Sequence, residues 1–322
     1  MMKLSDKMGS CRFALNDHIA VLAQKDPTLT FITCDNTSDR SVQQALSDVL
    51  GERYLDCGIA EQNAVGIASG LALSGKKVIL QTFASFLSLR SIEQIYLDCC
   101  YNRAGVVLMG THSGVTACTA GPTHGALLDY GFLRCMPNMT VFVPSDPAYC
   151  ASALEALLAL DGPSYIRVAK GKEHRVYQDD AVPFKLGRCI TVCPGTDVTL
   201  IGCGCGVWHC LQAAGSLEKE GISARVLDMH TIHPIDQDAI VLAANETNGI
   251  VVCEDHMISG GLGTAVCEVT ASLGLPAPVY RLGIPDCFYS QGDMPEEIYS
   301  RYGYDSAGVI RAAHQILSRK GD

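Results

Sequence analysis

Two histidines mark the ends of a stretch that otherwise contains no ionisable group except one cysteine, "HSGVTACTAGPTH" at 112–124. An imidazole can donate, accept or transfer a proton near neutral pH, so His112 and His124 are candidates for contact with a polar substrate. A lone histidine in a loop is more often a surface or core residue than a catalyst. The residue types and spacing alone therefore leave both interpretations open.

An acid and a pair of aromatic residues precede this stretch. Glu61 falls in the first turn of a predicted helix at 60–73, where a carboxylate can simply complement the helix dipole. Phe83 and Phe86 follow the end of an apolar run and can be core residues or a wall against a flat ring. By themselves, these three residues indicate a site no more strongly than they indicate ordinary packing.

The elements that must position these residues alternate between strands and helices. This alternation is typical of α/β folds with a parallel sheet that helices cover on both faces. Ser145 is predicted to cap a helix that has Pro147 in its first turn. The predicted strands lie at 30–35, 78–83, 104–110, 140–145 and 164–169, and the predicted helices lie near 60–73, 88–101, 124–135 and 147–159.

A polar segment at 171–187 interrupts the alternation, which then begins again. We therefore predict two doubly wound α/β domains, at 1–175 and 188–322, joined by a linker at 176–187. In the second domain, strands are predicted at 197–204, 223–229, 249–255 and 278–284, with helices near 206–220, 236–245 and 261–273.

Glycine-rich loops begin two helices of the second domain, "GCGCG" at 202–206 and "SGGLG" at 259–263. Both look like phosphate cradles, but neither matches the dinucleotide-binding fingerprint. The neighbouring "CGCGVWHC" has a cysteine spacing that suits zinc poorly, so no metal site is predicted on this chain. We assign no site to the second domain from sequence.

Composition excludes several classes of partner. The 322 residues carry a net charge of −10 and no Lys/Arg-rich run, which argues against nucleic acid and against an anionic membrane surface. No uninterrupted apolar run approaches about 18 residues, and the first residues do not resemble a signal peptide. We expect a cytoplasmic protein whose sixteen cysteines are free.

Several motifs together resemble one family. "GIAEQNAVGIASGLA", "TFASFLSLRSIEQI" and "GTHSGVTACTAGPTHGALLDYGF" resemble the pyrimidine-binding domain of transketolases, and "VLDMHTIHPID" with "VVCEDHMISGGLG" resembles their C-terminal domain. The resemblance covers nearly the whole chain in the family's order. It implies the family's fold, thiamine diphosphate and Mg²⁺ as cofactors, and ketol transfer between phosphorylated sugars as the activity.

The resemblance also implies roles for individual residues. Glu61 would be the catalytic carboxyl that bonds the cofactor's pyrimidine, Phe83 and Phe86 would pack against that ring, and catalytic His124 would contact the two-carbon unit. The residues that would bind substrate are Arg12, Ser38, His112, His124 and Lys170, with Ser38 the least secure match. Relatives commonly have Arg at the position of Lys170.

Two departures from the family pattern carry predictions. No Gly-Asp-Gly motif for Mg²⁺ and diphosphate occurs, so we expect an active site shared with a separate N-terminal subunit that carries this motif, in an α2β2 assembly by analogy. Ala120 stands where relatives usually have an Asp that engages a sugar hydroxyl. Since Ala cannot accept that hydrogen bond, we predict a branched or deoxy sugar substrate.

Other functions remain open. "DCGIAEQNAV" is also close to 1-deoxy-D-xylulose-5-phosphate synthases, whose donor is pyruvate. A 2-oxo-acid dehydrogenase β subunit shares the architecture and ranks third. A non-catalytic partner with the same fold would differ from all of these in lacking cofactor-dependent turnover.

Overall fold

The strands form two large sheets and one short ribbon. A computed structural model describes residues 7–35, 40–178, 182–289 and 293–318. The strands are β1 (Met8–Gly9), β2 (Leu29–Thr33), β3 (Tyr54–Asp56), β4 (Lys77–Phe83), β5 (Val106–Thr111), β6 (Thr140–Phe142), β7 (Ser164–Arg167), β8 (Glu173–His174), β9 (Ile190–Cys193), β10 (Val198–Gly202), β11 (Ala224–Asp228), β12 (Thr231–His233), β13 (Ile250–Met257) and β14 (Val279–Ile284).

Helices connect most of these strands. They are α1 (Cys11–Lys25), α2 (Arg40–Leu50), α3 (Glu61–Leu73), α4 (Ala84–Arg90), α5 (Ile92–Gln94), α6 (Asp129–Leu133), α7 (Cys150–Leu158), α8 (Cys205–Lys219), α9 (Gln237–Glu246), α10 (Leu262–Ser272), α11 (Pro295–Tyr302) and α12 (Ser306–Ser318). In the part of the chain that the structure describes, no helix is both long and apolar enough to cross a membrane.

The first sheet has the strand order β12-β6-β7-β5-β4-β2-β3. The six strands from β6 to β3 are mutually parallel, and β12 pairs antiparallel with β6 at the edge. From Val78 to Thr82, β4 is buried without interruption, as expected for a parallel strand that helices cover on both faces. Separate apolar clusters fill the two faces, one including Leu80 and the other Ile79.

The second sheet has the order β14-β13-β10-β11-β9, parallel except for the antiparallel edge strand β9. Helix α8 packs on it from one side, and α10 packs on it from the other. The predicted fold class, α/β with two mostly parallel, doubly wound sheets, is confirmed.

Three local predictions were wrong. The helix predicted near 124–135 is only α6, because 121–128 forms turns. The helix predicted near 88–101 begins earlier, at α4, and is interrupted at Ser91 before α5 and a π-helical turn at Ile95–Tyr101. The cap of the 147–159 helix is Asp146, whose carboxylate accepts a hydrogen bond from the Ala148 amide at 2.8 Å.

The segment predicted as a linker packs tightly where it is described. Val176 and Tyr177 donate backbone hydrogen bonds to the Asp146 carboxylate, at 2.7 and 3.1 Å. Phe184 stacks on Tyr149 with ring centroids 5.5 Å apart. These contacts pack the segment against the helices that cover the first sheet, so its described part is not a linker without contacts.

Candidate active site

The ends of two neighbouring strands bring the first site residues together. β4 and β5 are parallel partners in which Phe83 pairs with Thr111, so His112 follows directly beside Phe83. The ring centroids of Phe83 and His112 lie 4.2 Å apart. The chain leaves β2 towards one edge of the sheet, to β3, and leaves the neighbouring strand β4 towards the other edge, to β5. Ligands of open α/β sheets bind at the carboxyl ends of the strands near such a change of direction.

His124 completes an aromatic cluster with the two phenylalanines. Its ring centroid lies 5.0 Å from that of Phe86 and 5.8 Å from that of Phe83, and the two phenylalanine centroids are 5.5 Å apart. His124 Nδ1 lies 3.0 Å from Thr123 Oγ1, which fixes the ring within the turn. Both histidines of the 112–124 stretch therefore contact the same phenylalanine wall.

Glu61 reaches this cluster through a residue that sequence analysis missed. Glu61 begins α3 and is only 4% exposed, and both of its carboxylate oxygens accept hydrogen bonds from Arg90 Nη1, at 2.9 and 3.0 Å. The Arg90 guanidinium lies 3.9 Å from the centroid of the Phe86 ring. The spacing of Phe86 and Arg90, four residues apart on one helix, could have indicated this cation–π contact.

A second group of predicted residues converges beside His112. Arg12, in the first turn of α1, donates to the Lys170 carbonyl at 2.7 Å, and the Lys170 amide donates to Thr116 Oγ1 at 3.1 Å. Burial lowers the pKa of His112 to about 3, with further lowering by Arg12, Lys170 and His124. His112 is therefore a neutral hydrogen-bonding group between two cations, which suits contact with a phosphate.

Other predicted positions have different outcomes. Ser38 lies outside the described residues. Ala120 is exposed at the end of a short 3₁₀ turn, Cys118–Ala120. Arg167, close in sequence to the predicted phosphate contacts, is instead buried and donates to Asp129 at 2.8 Å.

The loop at 112–124 and the turn after it are held by the second half of the chain. The Tyr289 hydroxyl donates to the Gly121 carbonyl at 3.0 Å, three residues before His124. The Arg167 guanidinium also donates to the carbonyls of Ala126 and Asp255, at 2.8 and 2.7 Å. These contacts bridge the two sheets and position the turn that carries His124.

No group of three or more His, Cys, Asp or Glu side chains in the described ranges is arranged to hold a metal ion. The sequence "CGCGVWHC", at 203–210, follows the end of β10 and continues into the start of α8.

Comparison with known proteins defines the class of protein. Residues 7–173 match the family model of the transketolase pyrimidine-binding domain, and residues 187–309 match that of the transketolase C-terminal domain. The chain belongs to the transketolase family, and membership implies dependence on thiamine diphosphate.

Several relatives of this chain are described as subunits of transketolases or as a split gene transketolase. The chain is 36% identical to an apulose-4-phosphate transketolase subunit of Phocaeicola vulgatus, over 98% of this chain and 100% of that protein. It is 34% identical to the 6-deoxy-6-sulfo-D-fructose transketolase subunit SqwH of Clostridium sp. (strain MSTE9), over 94% and 93% of the two chains. A solved structure described as a split gene transketolase, inactive beta4 tetramer, superposes with a TM-score of 0.86 at 34% identity, covering 96% of this chain and 98% of that one.

A further relative bears on the alternative function. The chain is 34% identical to 1-deoxy-D-xylulose-5-phosphate synthase of Symbiobacterium thermophilum, but it spans only 45% of that protein. The full-length similarity is therefore to transketolase subunits, whose C-terminal subunit this chain resembles.

The residues in the cleft fit the pyrimidine ring of thiamine diphosphate. Glu61 and Arg90 border a surface cleft of about 520 Å³, and the Arg90 guanidinium stacks on the Phe86 ring, which in turn contacts Phe83. Each Glu61 oxygen can accept a hydrogen bond in addition to the one from Arg90. A ring nitrogen that carries a proton can therefore donate to Glu61, and the neighbouring Phe83 and Phe86 are aromatic side chains suited to contact with a flat ring.

Proposed function

We propose that this protein is the C-terminal subunit of a two-subunit transketolase that transfers a two-carbon ketol unit between phosphorylated sugars. The observation that carries the proposal is the continuous series of contacts from Glu61 through Arg90 and Phe86 to His124. It joins a buried carboxylate at the edge of a cleft to an aromatic wall and a histidine.

Each residue has a distinct role in this proposal. Glu61 accepts a hydrogen bond from the pyrimidine nitrogen, and Phe83 and Phe86 hold the ring. His124 bonds the oxygens of the two-carbon unit and moves protons there. Arg12, His112 and Lys170 bind the sugar phosphate, and Ser38 is expected to assist. When bound, thiamine diphosphate supplies carbanion chemistry at its thiazolium carbon.

The partner is an N-terminal subunit whose Gly-Asp-Gly motif holds Mg²⁺ and the diphosphate, in a cytoplasmic α2β2 assembly. The support is that the chain aligns with nearly all of two proteins whose names call them transketolase subunits. Large apolar side chains near the cleft are also exposed in the single chain, such as Ile59 at 73% and Leu89 at 50%. They suit a surface that a partner covers.

The substrate is an unusual phosphorylated sugar, branched or deoxy at the carbon that faces Ala120. The names of the two relatives specify apulose 4-phosphate and 6-deoxy-6-sulfo-D-fructose, and this variety of substrates among related subunits supports an unusual sugar here. Transketolase activity is favoured over the 1-deoxy-D-xylulose-5-phosphate synthase reaction because the alignment with that enzyme covers only part of its length.

A ketol-transfer assay tests the proposal. The chain is mixed with a Gly-Asp-Gly-containing half, thiamine diphosphate and Mg²⁺, and donors are compared among pentose phosphates, branched and deoxy sugar phosphates, and pyruvate. We expect turnover that requires both chains, is lost in Glu61→Ala and is retained in Glu52→Ala, which changes an exposed acid. Turnover of pyruvate would favour the synthase, and cofactor binding without turnover of any donor would favour a non-catalytic partner.

A further inference from the structure

A cavity of about 620 Å³ lies between the two halves of the chain, and the proposed transfer reaction leaves most of it without a role. One end is lined by Arg12, His112 and Lys170, the proposed contacts for the sugar phosphate. The cavity continues past them to the start of α8, where Trp208 and His209 line it. Its volume falls in the range of small-molecule binding sites, about 300 to 1,000 Å³.

The two glycine-rich loops of the second half differ in what occupies them. At the start of α10, the Glu254 carboxylate accepts hydrogen bonds from the amides of Leu262 and Gly263, at 2.7 and 2.8 Å. A Cβ atom at Gly261 would lie 2.0 Å from a Glu254 oxygen. The "SGGLG" loop therefore resembles a phosphate cradle because it already holds an anion of the protein itself.

The "GCGCG" loop has no such occupant. Gly204, at φ +52°, precedes the first residue of α8, and no side chain caps this helix. Gly204 and Cys205 both line the cavity, so the positive end of a 15-residue helix borders the open space. At this start the Gly206 and Val207 amides already donate to the carbonyls of Cys203 and Gly204, at 3.0 and 3.2 Å, so an anion there would meet the Cys205 amide and the positive end of the helix dipole.

His209 provides an independent sign of a missing ligand. It lies in the second turn of α8 and lines the cavity, yet both of its ring nitrogens are buried and have no hydrogen-bond partner within the described part of the chain. Burial lowers the pKa of His209 to about 4, so the ring is neutral and offers one donor and one acceptor. Buried polar atoms without partners are rare because they lose their hydration without compensation.

The facing wall adds positive charge and an aromatic surface. Lys170 and Lys172 are exposed at the opening of the cavity. Of the nearby acids, Glu173 accepts from the Cys11 amide at 3.0 Å and Asp255 from the Val115 amide at 3.1 Å, so both already have donors within the protein. Glu296 is the third lining acid.

Trp208 gives the cavity an aromatic side between these charged ends. It stacks on His174 with centroids 4.5 Å apart and an interplanar angle of 7°, which fixes the orientation of the indole. Tyr299 lies nearby on α11 and also lines the space. An occupant with an apolar or ring-shaped body would contact these side chains.

We propose that this interdomain cavity is a second ligand site, which binds an organic phosphate between the start of α8 and Lys172. His209 hydrogen-bonds the ligand, and the apolar or ring-shaped body of the ligand lies against Trp208. The site is separate from the reacting carbons. It shares the Arg12 and Lys170 wall with the sugar-phosphate end, so its occupancy changes the affinity for the sugar phosphate.

Trp208 is the single tryptophan of the sequence, so intrinsic fluorescence reports directly on this cavity. The isolated chain is titrated with phenyl phosphate and, separately, with inorganic phosphate. We expect a saturable change in emission, with phenyl phosphate binding more tightly because its ring contacts the indole. Lys172→Met and His209→Leu are each expected to weaken binding by about tenfold, since each removes a hydrogen bond to a charged or polar ligand group.

The matched control is Lys219→Met, which removes an exposed lysine at the opposite end of α8 and should leave binding unchanged. Circular dichroism of each variant verifies folding, and Lys172→Met changes only an exposed side chain. The proposal is overturned by the absence of saturable binding or by equal binding in Lys172→Met and Lys219→Met. It is equally overturned if His112→Ala abolishes binding that Lys172→Met retains, because the probe would then occupy the sugar-phosphate end.

Discussion

At the scale of single residues, the contact between Glu61 and Arg90 has an energetic consequence. A carboxylate that is only 4% exposed is costly to ionise unless a cation or hydrogen-bond donors compensate it. Arg90 supplies both from a position 44% exposed to solvent, where its own charge remains hydrated. The pair allows a buried acid to be present in the cleft before a cofactor binds.

Removing Arg90 should therefore destabilise the folded chain. We expect Arg90→Met to lower the free energy of unfolding by about 1–3 kcal/mol, because the Glu61 carboxylate stays buried without its donor. Urea denaturation measures the change. In a Glu61→Gln background, the same substitution should lower the free energy of unfolding by clearly less. An equal decrease in both backgrounds would show that the contact between Arg90 and Glu61 contributes nothing specific to stability.

Ala120 permits a prediction about substrate choice. Ala120→Asp restores an acceptor for a sugar hydroxyl, so in the assembled enzyme it should raise kcat/KM for xylulose 5-phosphate by about tenfold. Thr119→Asp, at the exposed neighbouring position, is the control and should not do so. High wild-type activity on pentose phosphates that Ala120→Asp abolishes would contradict the proposed branched or deoxy substrate.

Residue types and family motifs predicted four of the side chains that meet at the site. Phe83, Phe86, His112 and His124 form one cluster in which each ring contacts Phe83 or Phe86, although their chemical roles stay predictions. Arg90 was not predicted because its contact with Glu61 joins residues 29 positions apart. Such a pairing depends on how α3 and α4 pack, which local sequence does not specify.

At the scale of elements, the start of α10 depends on one protein carboxylate. Gly261→Ala would place a Cβ atom 2.0 Å from the Glu254 oxygen and displace that carboxylate from the helix amides. We expect a loss of about 2–3 kcal/mol in the free energy of unfolding, measured by urea denaturation.

A matched glycine variant separates this effect from the general effect of adding a methyl group. Gly215 lies within α8, and a Cβ atom added there would meet open space. Gly215→Ala should stabilise the protein by about 0.5–1 kcal/mol, because alanine loses less entropy in a helix. A similar loss in both variants would rule out the carboxylate as the cause.

Element prediction was accurate for the parallel strands and inaccurate where distant contacts override local preference. β4 and β5 were recognisable because each contains a run of apolar residues, "VIL" at 78–80 and "VVLM" at 106–109. The 124–135 region reads as a helix but folds as turns around the short helix α6, and just before it the Gly121 carbonyl accepts a hydrogen bond from Tyr289, far away in sequence. β12 was not predicted because it pairs with β6, about ninety residues earlier.

At the scale of the whole molecule, one buried carboxylate joins the two halves. Asp228 ends β11 and accepts hydrogen bonds from Ser145, Tyr149 and Tyr177, which belong to the first sheet's layer and the packed segment after it. Burial raises the pKa of Asp228 to about 6, although these three hydroxyl donors oppose the rise. The contact between the halves is therefore sensitive to pH.

The sign of this sensitivity follows from the raised pKa. Between about pH 4 and pH 6 the folded protein keeps the Asp228 proton that the unfolded chain releases, so this group's contribution to stability falls as the pH rises. Relative to that of Asp228→Asn, the free energy of unfolding of the wild type should fall by up to about 1.4 kcal/mol per pH unit as the pH rises across that interval. Urea denaturation of both proteins from pH 4 to pH 7.5 measures the difference.

The comparison with a variant is necessary because other groups titrate in the same interval. Burial lowers the pKa of His230 to about 4, which makes stability rise with pH, and this contribution is present in both proteins. Asp161→Asn, at an exposed position, is the control, and its free energy of unfolding should change with pH as that of the wild type does. A constant difference between wild type and Asp228→Asn over the whole interval would refute the assignment to Asp228.

The position of β12 has a consequence for synthesis of the chain on the ribosome. The edge of the first sheet at β6 acquires its last strand only after β9, β10 and β11 have been made, since β12 follows them in sequence. A nascent polypeptide that ends at 187 thus exposes an open strand edge, which can pair with neighbouring chains. Completion of the first sheet during translation must wait for the second sheet to begin, so the first half does not mature independently.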